Sequence, residues 1–296
     1  MKKQNYLIVW LRATRAFSFT GTFVPILLAA VYAHYRNIPV DWCLLPAVIA
    51  GGLCLNAGTC LTNEYYDHKN KVDKEDSLGS SRVIFEKLLT PEKILHVSFV
   101  FYFLAAVLGV YFVYLRGPVM LAIILIAIFG AYAYTGWPFY WKYFALGEPM
   151  VFILMGPLMS EGAFLALTGK LGSAVAYASI PAGLLVTAIL NANNLRDIHH
   201  DRSAGIKTIG TFLGNERMKL LYLSLIILPY FFVAIMAFLK VIPMSSLLVI
   251  LTLPIAFGLI KIAYGDDMKK LISLDISTAK LHLAFGALYL ISFLIG

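Results

Sequence analysis

Charge is what this 296-residue chain has least of: Asp, Glu, Lys and Arg make up 14% of it, against roughly a quarter in an ordinary soluble domain. With 60% hydrophobic residues and a mean hydropathy of +0.80, a water-soluble globular protein is excluded. Cysteine is also scarce. Cys43, Cys54 and Cys60 are the only three, and they show neither metal-ligand spacing nor a disulfide framework, so they are read as small packing residues. Segments of about ten residues with alternating polarity, the mark of a transmembrane barrel, are absent as well. What is present instead is long apolar blocks, each near the ~20 residues that a helix needs to cross the hydrocarbon core.

The blocks fall at residues 16–34, 43–62, 94–115, 118–135, 149–169, 173–193, 218–239, 244–263 and 278–296. The expected fold is therefore an all-α integral membrane protein, a nine-transmembrane-helix bundle. Little chain remains for a soluble unit, so residues 1–296 are read as a single membrane domain. The first block follows basic residues, but its apolar run is longer than a signal core, so it is read as an uncleaved helix. Loops rich in Lys and Arg stay on the cytoplasmic side. Counted over this topology, 20 basic residues lie on the side of the N-terminus, against Arg36, Arg116, Lys170 and Lys240 on the other. The N-terminus is thus expected in the cytoplasm and the C-terminus outside, in a cell (inner) membrane. The net charge of +8 is mostly this orientation signal, with some capacity to attract anionic headgroups or phosphate. Nucleic acid is not an expected partner; membrane lipid is.

The acids are distributed unevenly. On the same topology only Asp41 and Glu161 of the 16 lie towards the outer side. Two dense polar clusters leave the second and sixth apolar blocks, NEYYDHKNKVDKED from Asn63 to Asp76 and NANNLRDIHHDRSAGIK from Asn191 to Lys207. Asn63 and Asp67 are four apart, as are Asn193, Asp197 and Asp201, which stacks them on one face wherever the helix continues. Such stripes are costly against lipid and normally face the bundle interior or an aqueous cavity. An even number of spans separates them, so both belong to one membrane face and are expected to confront each other there. Magnesium is commonly held by one or two carboxylates together with substrate phosphates. With Lys69, Lys71, Arg82, Arg196, Arg202 and Lys207 nearby as candidate phosphate contacts and an apolar interior for a hydrocarbon tail, the chemistry that fits is that of a lipid diphosphate.

Five strings in order, NEYYDHKNKVD at Asn63 to Asp73, GSSRVIFEKLLTPEKI at Gly79 to Ile94, YTGWPFYWKYFALGE at Tyr134 to Glu148, NNLRDIHHDRSAGIKTI at Asn193 to Ile209 and TAKLHLAFGALY at Thr278 to Tyr289, resemble the UbiA superfamily of membrane prenyltransferases. Within it they resemble most the 1,4-dihydroxy-2-naphthoate prenyltransferase branch of menaquinone biosynthesis. The resemblance covers nearly the whole chain. It implies the UbiA-type fold, with transfer of a polyprenyl group from polyprenyl diphosphate to an aromatic acceptor of the dihydroxynaphthoate type, losing CO2 to give a demethylmenaquinone, at the cytoplasmic face. It also implies magnesium as cofactor, with Asn63, Asp67, Asp73, Asp197 and Asp201 as metal residues, the four aspartates being catalytic. Asn193, Arg82, Lys207, Arg196 and Lys142 are implied on the substrate, mostly at its diphosphate. The chain departs from the family at Glu64, where Asp is common, at Lys71, where this branch often has Gly before Asp73, and at Ala16, where Pro usually follows the arginine at position 15.

Plainer readings stand beside these. Orientation alone accounts for Lys69, Lys71 and Arg202. His199 and His200 point in different directions on a helix and suit solvated or supporting roles. Tyr65, Tyr66, Tyr134 and Tyr143 are either interfacial aromatics or π-faces for the acceptor ring and an allylic cation; Tyr134 is kept as a substrate-binding candidate. Relatives that act on 4-hydroxybenzoate, homogentisate, haem or glycerol ethers share the magnesium motifs, so the acceptor is open on residues alone. A proton- or ion-coupled transporter is the competing class, although carriers usually hold their coupling acids near the bilayer midplane, whereas these sit at one face.

Overall fold

The computed structural model describes residues 5–75, 79, 81–265 and 267–296. Lys2, Lys3 and Asp76, counted above among the orientation charges and in the first cluster, lie outside the described residues. The regular structure is helical: α1 (Tyr6–Ala13), α2 (Thr20–Tyr35), α3 (Leu45–Lys69), α4 (Pro91–Arg116), α5 (Pro118–Ala133), α6 (Gly147–Ile153), α7 (Met159–Thr168), α8 (Ser173–Ala178), α9 (Ile180–Ser203), α10 (Ile209–Leu213), α11 (Asn215–Phe238), α12 (Leu253–Tyr264), α13 (Met268–Ile272) and α14 (Leu274–Ile295).

Among the described residues, seven segments are long and apolar enough to cross a membrane: Ala16–Tyr35, Trp42–Lys69, Pro91–Arg116, Gly147–Thr168, Asn215–Phe238, Met244–Tyr264 and Leu274–Ile295. This is an integral membrane protein. The other two expected spans are also helical but differ in kind. Helix α5 is apolar and only 16 residues long. The block at 173–193 breaks at Ser179, ahead of Pro181, into α8 and α9, and α9 then runs ten residues past its expected end. It can do so because its polar residues face the protein interior: Asn191, Asn194, Arg196 and Asp201 are buried. Helix α3 likewise outruns its expected end at 62, with Asn63, Glu64 and Asp67 buried. Helix α1 is apolar but, at eight residues, too short to be read as a span.

Local sequence sets the joints. Gly117, at φ 78°, ends α4, and Pro118 begins α5, the usual division of a flexible C-terminal stop and a preset first turn. Thr90 caps α4 by accepting from the Lys93 N–H at 3.3 Å. Pro157 removes a helical donor, and the chain widens to a π-turn over Leu154–Leu158 that joins α6 to α7.

Packing centres on α9, which lies against α6, α11 and α14, while α3 lies against α4 and α5. Helix α2 touches α3, α7, α9 and α14 and so joins the two groups. Tyr222 and Thr278 hydrogen-bond at 2.7 Å between α11 and α14, and the Tyr289 hydroxyl donates to the Ala178 carbonyl at 2.9 Å. Lipid tails give helices no hydrophobic reason to associate, so such bonds and close backbone contact matter. One close approach is at two glycines, where a Cβ on Gly156 would lie 3.0 Å from the Gly183 Cα. Gly156→Leu should therefore lower the thermal unfolding midpoint in detergent, by an overpacking cost of about 1–3 kcal/mol. Gly258→Leu, where a Cβ meets nothing within 4 Å, should leave it unchanged; equal midpoints for both variants would contradict the packing assignment.

Candidate active site

Because α3 stays helical to Lys69, Asn63 and Asp67 sit one turn apart on one face, as their spacing requires. The Asp67 carboxylate is fully engaged: the Lys142 ammonium donates to Oδ2 at 2.7 Å and the Tyr143 hydroxyl to Oδ1 at 2.6 Å. Lys142 also donates to Asn63 Oδ1 at 3.2 Å. After α3 the chain folds back, and the amides of Val72 and Asp73 donate to the Asp67 carbonyl at 2.9 and 3.1 Å. Lys71 adopts φ 57° in that turn. The glycine common in the resembling branch is thus replaced by a lysine that takes the left-handed conformation itself, and Asp73 still returns beside Asp67.

On α9, Asn193, Asp197 and Asp201 share a face, again as spaced. Asp201 accepts from the Thr208 hydroxyl at 3.0 Å. Asp197 accepts from Arg196 Nε and Nη2, both at 2.8 Å, and the same guanidinium donates to Asn193 Oδ1 at 2.6 Å and to Asp275 Oδ2 at 3.1 Å. Arg196 is buried, so its fork orients Asn193 and Asp197 from behind and ties α9 to the start of α14. Gly79, from the segment after α3, lies so close to Arg196 and Asp197 that a Cβ there would clash with both. The segment that carries Lys142 is fixed in turn, for the Lys207 amide donates to the Tyr143 carbonyl at 3.1 Å.

These elements enclose a cavity of about 200 Å³. Its mouth is lined by Asn63, Asp67, Asp73, Asn193, Asp197 and Asp201 together with Lys142, Arg15 and His200. Its inner wall is mostly apolar, and Tyr134 lies on it. The two sequence clusters thus do confront each other. Arg82 and Lys207 lie outside this lining: Arg82 is exposed, donating to the Glu75 carbonyl at 2.9 Å with Glu86 3.8 Å away, and the Lys207 side chain is exposed. Arg196 is brought to the acids as a buried partner, and His199 faces out.

Sequence reasoning left Arg15 unassigned and missed Asp275 and Glu148; it named Tyr143 as an aromatic face, not as the hydroxyl that donates to Asp67. Arg15 enters the cavity from the break between α1 and α2 and lies 4.0 Å from Glu64. Glu148 is buried and accepts from Asn194 at 2.9 Å. For Asp275 the only available signal was an acid three residues before a matched string. Arg12 holds the segment after α3 through Glu86, at 2.9 and 3.0 Å, and through the Ser81 carbonyl at 2.8 Å.

Among the described residues no three acidic, His or Cys side chains converge on one point. The donors are nonetheless hard oxygens in two groups across one cavity. That suits a cation which takes one or two carboxylates and completes its shell from substrate phosphate and water, so the residues fit magnesium bound with an anionic substrate.

A family model described as the UbiA prenyltransferase family matches residues 22–284. The chain belongs to this family. It is 30% identical over 288 residues to UbiA prenyltransferase domain-containing protein 1 of Homo sapiens, covering 96% of this chain and 82% of that protein. It is 34% identical over 209 residues to 1,4-dihydroxy-2-naphthoate octaprenyltransferase of Bacillus subtilis (strain 168), covering 71% and 67%. Among solved structures, a UbiA homolog from Archaeoglobus fulgidus bound to GPP and Mg2+ has a TM-score of 0.64 at 17% identity, covering 95% of this chain and 99% of that one. The apo UbiA homolog from Aeropyrum pernix K1 has a TM-score of 0.65 at 14% identity, over 91% and 97%. The chain is a prenyltransferase with the UbiA fold.

Two predictions follow from this geometry. Arg196→Met should destabilise the protein by about 3–5 kcal/mol by stranding a buried carboxylate, seen as a lower unfolding midpoint; adding Asp275→Leu should recover much of the loss, and no recovery would mean that Asp275 is not the stranded group. The second concerns pH. Burial pushes the Asp73 carboxyl up to about 7, the Asp67 carboxylate adding to the effect and the Lys142 ammonium opposing it. Since an unfolded carboxyl titrates near about 3.9, the cation-free fold is disfavoured as pH rises from there towards neutrality. A divalent cation held by Asp73 would have to displace that proton. Magnesium-induced thermal stabilisation should therefore be weaker at about pH 6 than at about pH 8, and a pH-independent shift would contradict this account.

Proposed function

We propose that the protein transfers a polyprenyl group from its diphosphate to 1,4-dihydroxy-2-naphthoate, with loss of CO2, in menaquinone biosynthesis. The observation that carries the reading is a single cavity whose mouth holds four aspartates and two basic side chains and whose body is apolar. The similarity to the Bacillus subtilis naphthoate enzyme supports the acceptor, and the basic bias of the acid-bearing face supports placing that face in the cytoplasm of a cell whose inner membrane holds the chain. Nothing observed favours the carrier reading: the polar groups serve one cavity at one face.

In this reading Asn63, Asp67 and Asp73 on one wall and Asp197 and Asp201 on the other hold magnesium with the substrate diphosphate, and Asn193 and Lys142 meet its oxygens. Magnesium bound there supplies neutralisation of the charge that grows on the departing diphosphate. Lys142 is released from Asp67 towards the phosphate, where a charge-assisted contact is roughly twice as strong as a neutral one. Arg15 adds a second cation at the mouth. Arg82 and Lys207, exposed at the rim, act in guiding the anion to the cavity. The allylic C–O bond breaks, its electron pair leaving with the diphosphate, and the apolar wall keeps water from the resulting cation while the Tyr134 ring faces it. The acceptor ring carbon bearing the carboxylate then forms the new C–C bond, and the C–carboxylate bond gives its electrons back to the ring as CO2 leaves. A ring with two hydroxyls is electron-rich enough to need no strong protein base, which agrees with cavity lining that offers only His200 among the six histidines.

Asp67→Asn and Asp197→Asn should each reduce turnover by about 10²-fold or more, the scale of losing one electrostatic contact to a charge that develops in the transition state; the unfolding midpoint of Asp197→Asn stays near wild type because Arg196 keeps Asn193 and Asp275, whereas that of Asp67→Asn falls because the buried Lys142 loses its carboxylate. The assay is purified protein with a prenyl diphosphate, magnesium and carboxyl-labelled dihydroxynaphthoate in competition with 4-hydroxybenzoate. Labelled CO2 is expected. Prenylated benzoate with its carboxyl retained would reassign the acceptor and leave the diphosphate chemistry standing; near-wild-type turnover in both variants would remove the metal assignment.

A further inference from the structure

Glu148 lies at the start of the Gly147–Thr168 span, is buried and has no part in the prenyl transfer proposed for the cavity. Its Oε1 accepts from the Asn194 Nδ2 at 2.9 Å, a bond that ties α6 to α9. Its Oε2 is buried and has no hydrogen-bond partner among the described residues. Tying two helices together does not call for a half-satisfied carboxyl, because apolar side chains of that size join helices without the cost of taking an acid out of water. What the carboxyl gives that they cannot is a fixed orientation for the Asn194 amide.

An amide side chain offers a donor on one side and an acceptor on the other. Glu148 takes the Nδ2 side, so the polar atom that Asn194 turns to the cavity it lines is Oδ1. Asn194 stands where the cavity changes character. Asp197 and Asp201 follow it towards the mouth, and Leu190, one turn before it on α9, belongs to the apolar body. At about 1.5 Å per residue, Asn194 lies about 5 Å inward of Asp197. A Cβ on Gly147 would come within 3.8 Å of the Tyr134 hydroxyl, so Tyr134 borders the same corner. A diphosphate bound at the mouth holds its allylic carbon near this depth, and the aromatic ring has to reach that carbon here. Diphosphate oxygens are acceptors and would be repelled by Oδ1, and the prenyl chain has no polar hydrogen; a phenolic O–H can donate. In 1,4-dihydroxy-2-naphthoate the 1-hydroxyl sits beside the carboxylate and donates to it, which leaves the 4-hydroxyl free.

We propose that Glu148 is a positioning residue that locks the Asn194 amide with Oδ1 towards the cavity, and that this oxygen accepts a hydrogen bond from the 4-hydroxyl of the aromatic substrate. This rests on the reading that the cavity transfers a prenyl group to a dihydroxylated ring. The test compares wild type, Asn194→Leu, Glu148→Met and Glu148→Gln on dihydroxynaphthoate and its 4-methyl ether, which cannot donate. Wild type should prefer the free hydroxyl in kcat/KM by about tenfold or more, since the ether leaves a buried acceptor unpaired. Asn194→Leu and Glu148→Met should bring that preference to within about threefold, through a higher KM for the naphthoate at unchanged KM for the prenyl diphosphate. Glu148→Gln, whose amide oxygen can still accept from Asn194, should keep most of it. If Glu148→Met is poorly folded, Glu148→Ala decides in its place. Equal losses on both naphthoates would make the pair a helix tie only, and loss of the thermal stabilisation given by prenyl diphosphate with magnesium would move Asn194 to the metal; either result overturns the proposal. Thermal stabilisation by each naphthoate, measured in parallel, separates the two readings. Should wild type transfer no prenyl group yet be stabilised more by the free hydroxyl than by the ether, and Asn194→Leu equally by both, the proposed reaction falls and the contact stands; equal stabilisation of wild type by both removes the contact.

Discussion

Negative charge gathered at the mouth of an apolar cavity is the constraint to which the rest of this structure answers. Carboxylates on α3 and α9 repel one another, and burial penalises each of them further. Two cations meet that cost by different means. Lys142 comes from the loop between α5 and α6 and engages Asp67 and Asn63 across the cavity. Arg196 lies behind its acids, on their own helix, and shares a rigid fork among Asn193, Asp197 and Asp275. The first pairing can exchange a carboxylate for a phosphate, because an ammonium on a flexible stem is a point charge; the second is a planar, buried fork with fixed partners. In the proposed reaction the first cation moves with substrate, while the second holds the wall still.

The same constraint explains which parts of the molecule were legible in its sequence. The stacking of Asn63 with Asp67, and of Asn193 with Asp197 and Asp201, follows from helical spacing and is what the helices show. Their facing one cavity followed from the cost of exposing acids to lipid. The helix ends were misplaced for the same reason: hydropathy closes a span at the first run of polar residues, whereas α3 and α9 continue because those residues are turned inward. Apolar length alone could not reveal that Ser179 breaks the sixth block or that α5 has only 16 residues.

Partnerships between distant segments were beyond reach. Arg82 and Lys207 stood in matched strings close to the acids, and proximity in sequence suggested proximity to the diphosphate. The fold turns Arg82 towards Glu75 and Glu86 and leaves the Lys207 side chain outside, using only its backbone to anchor Tyr143. Arg15 shows the converse. It sits far from both clusters in the chain, and only the break between α1 and α2 carries it to the cavity. Asp275 became meaningful only once Arg196 was seen to reach α14.

Backbone strain at the acidic face completes the account. Arg15, Lys71, Arg82, Lys87, Tyr140 and Ala145 all hold φ between 49° and 62°, a region that costs an L-residue roughly 1–2 kcal/mol and that glycine enters freely. Four of the six are basic. Glycine at Lys71 or Arg15 would ease the turn but remove a positive charge from the surroundings of four aspartates, and the surrounding bonds make the strained form hold: the Asp73 amide to Asp67, Arg12 to Glu86 and Ser81, and Ser81 to Glu64 at 2.5 Å. Such over-determination is the condition under which strained residues persist at functional sites. The left-handed turns that bring Arg15 to the cavity and return Asp73 beside Asp67 are thus held by bonds between segments rather than by glycine.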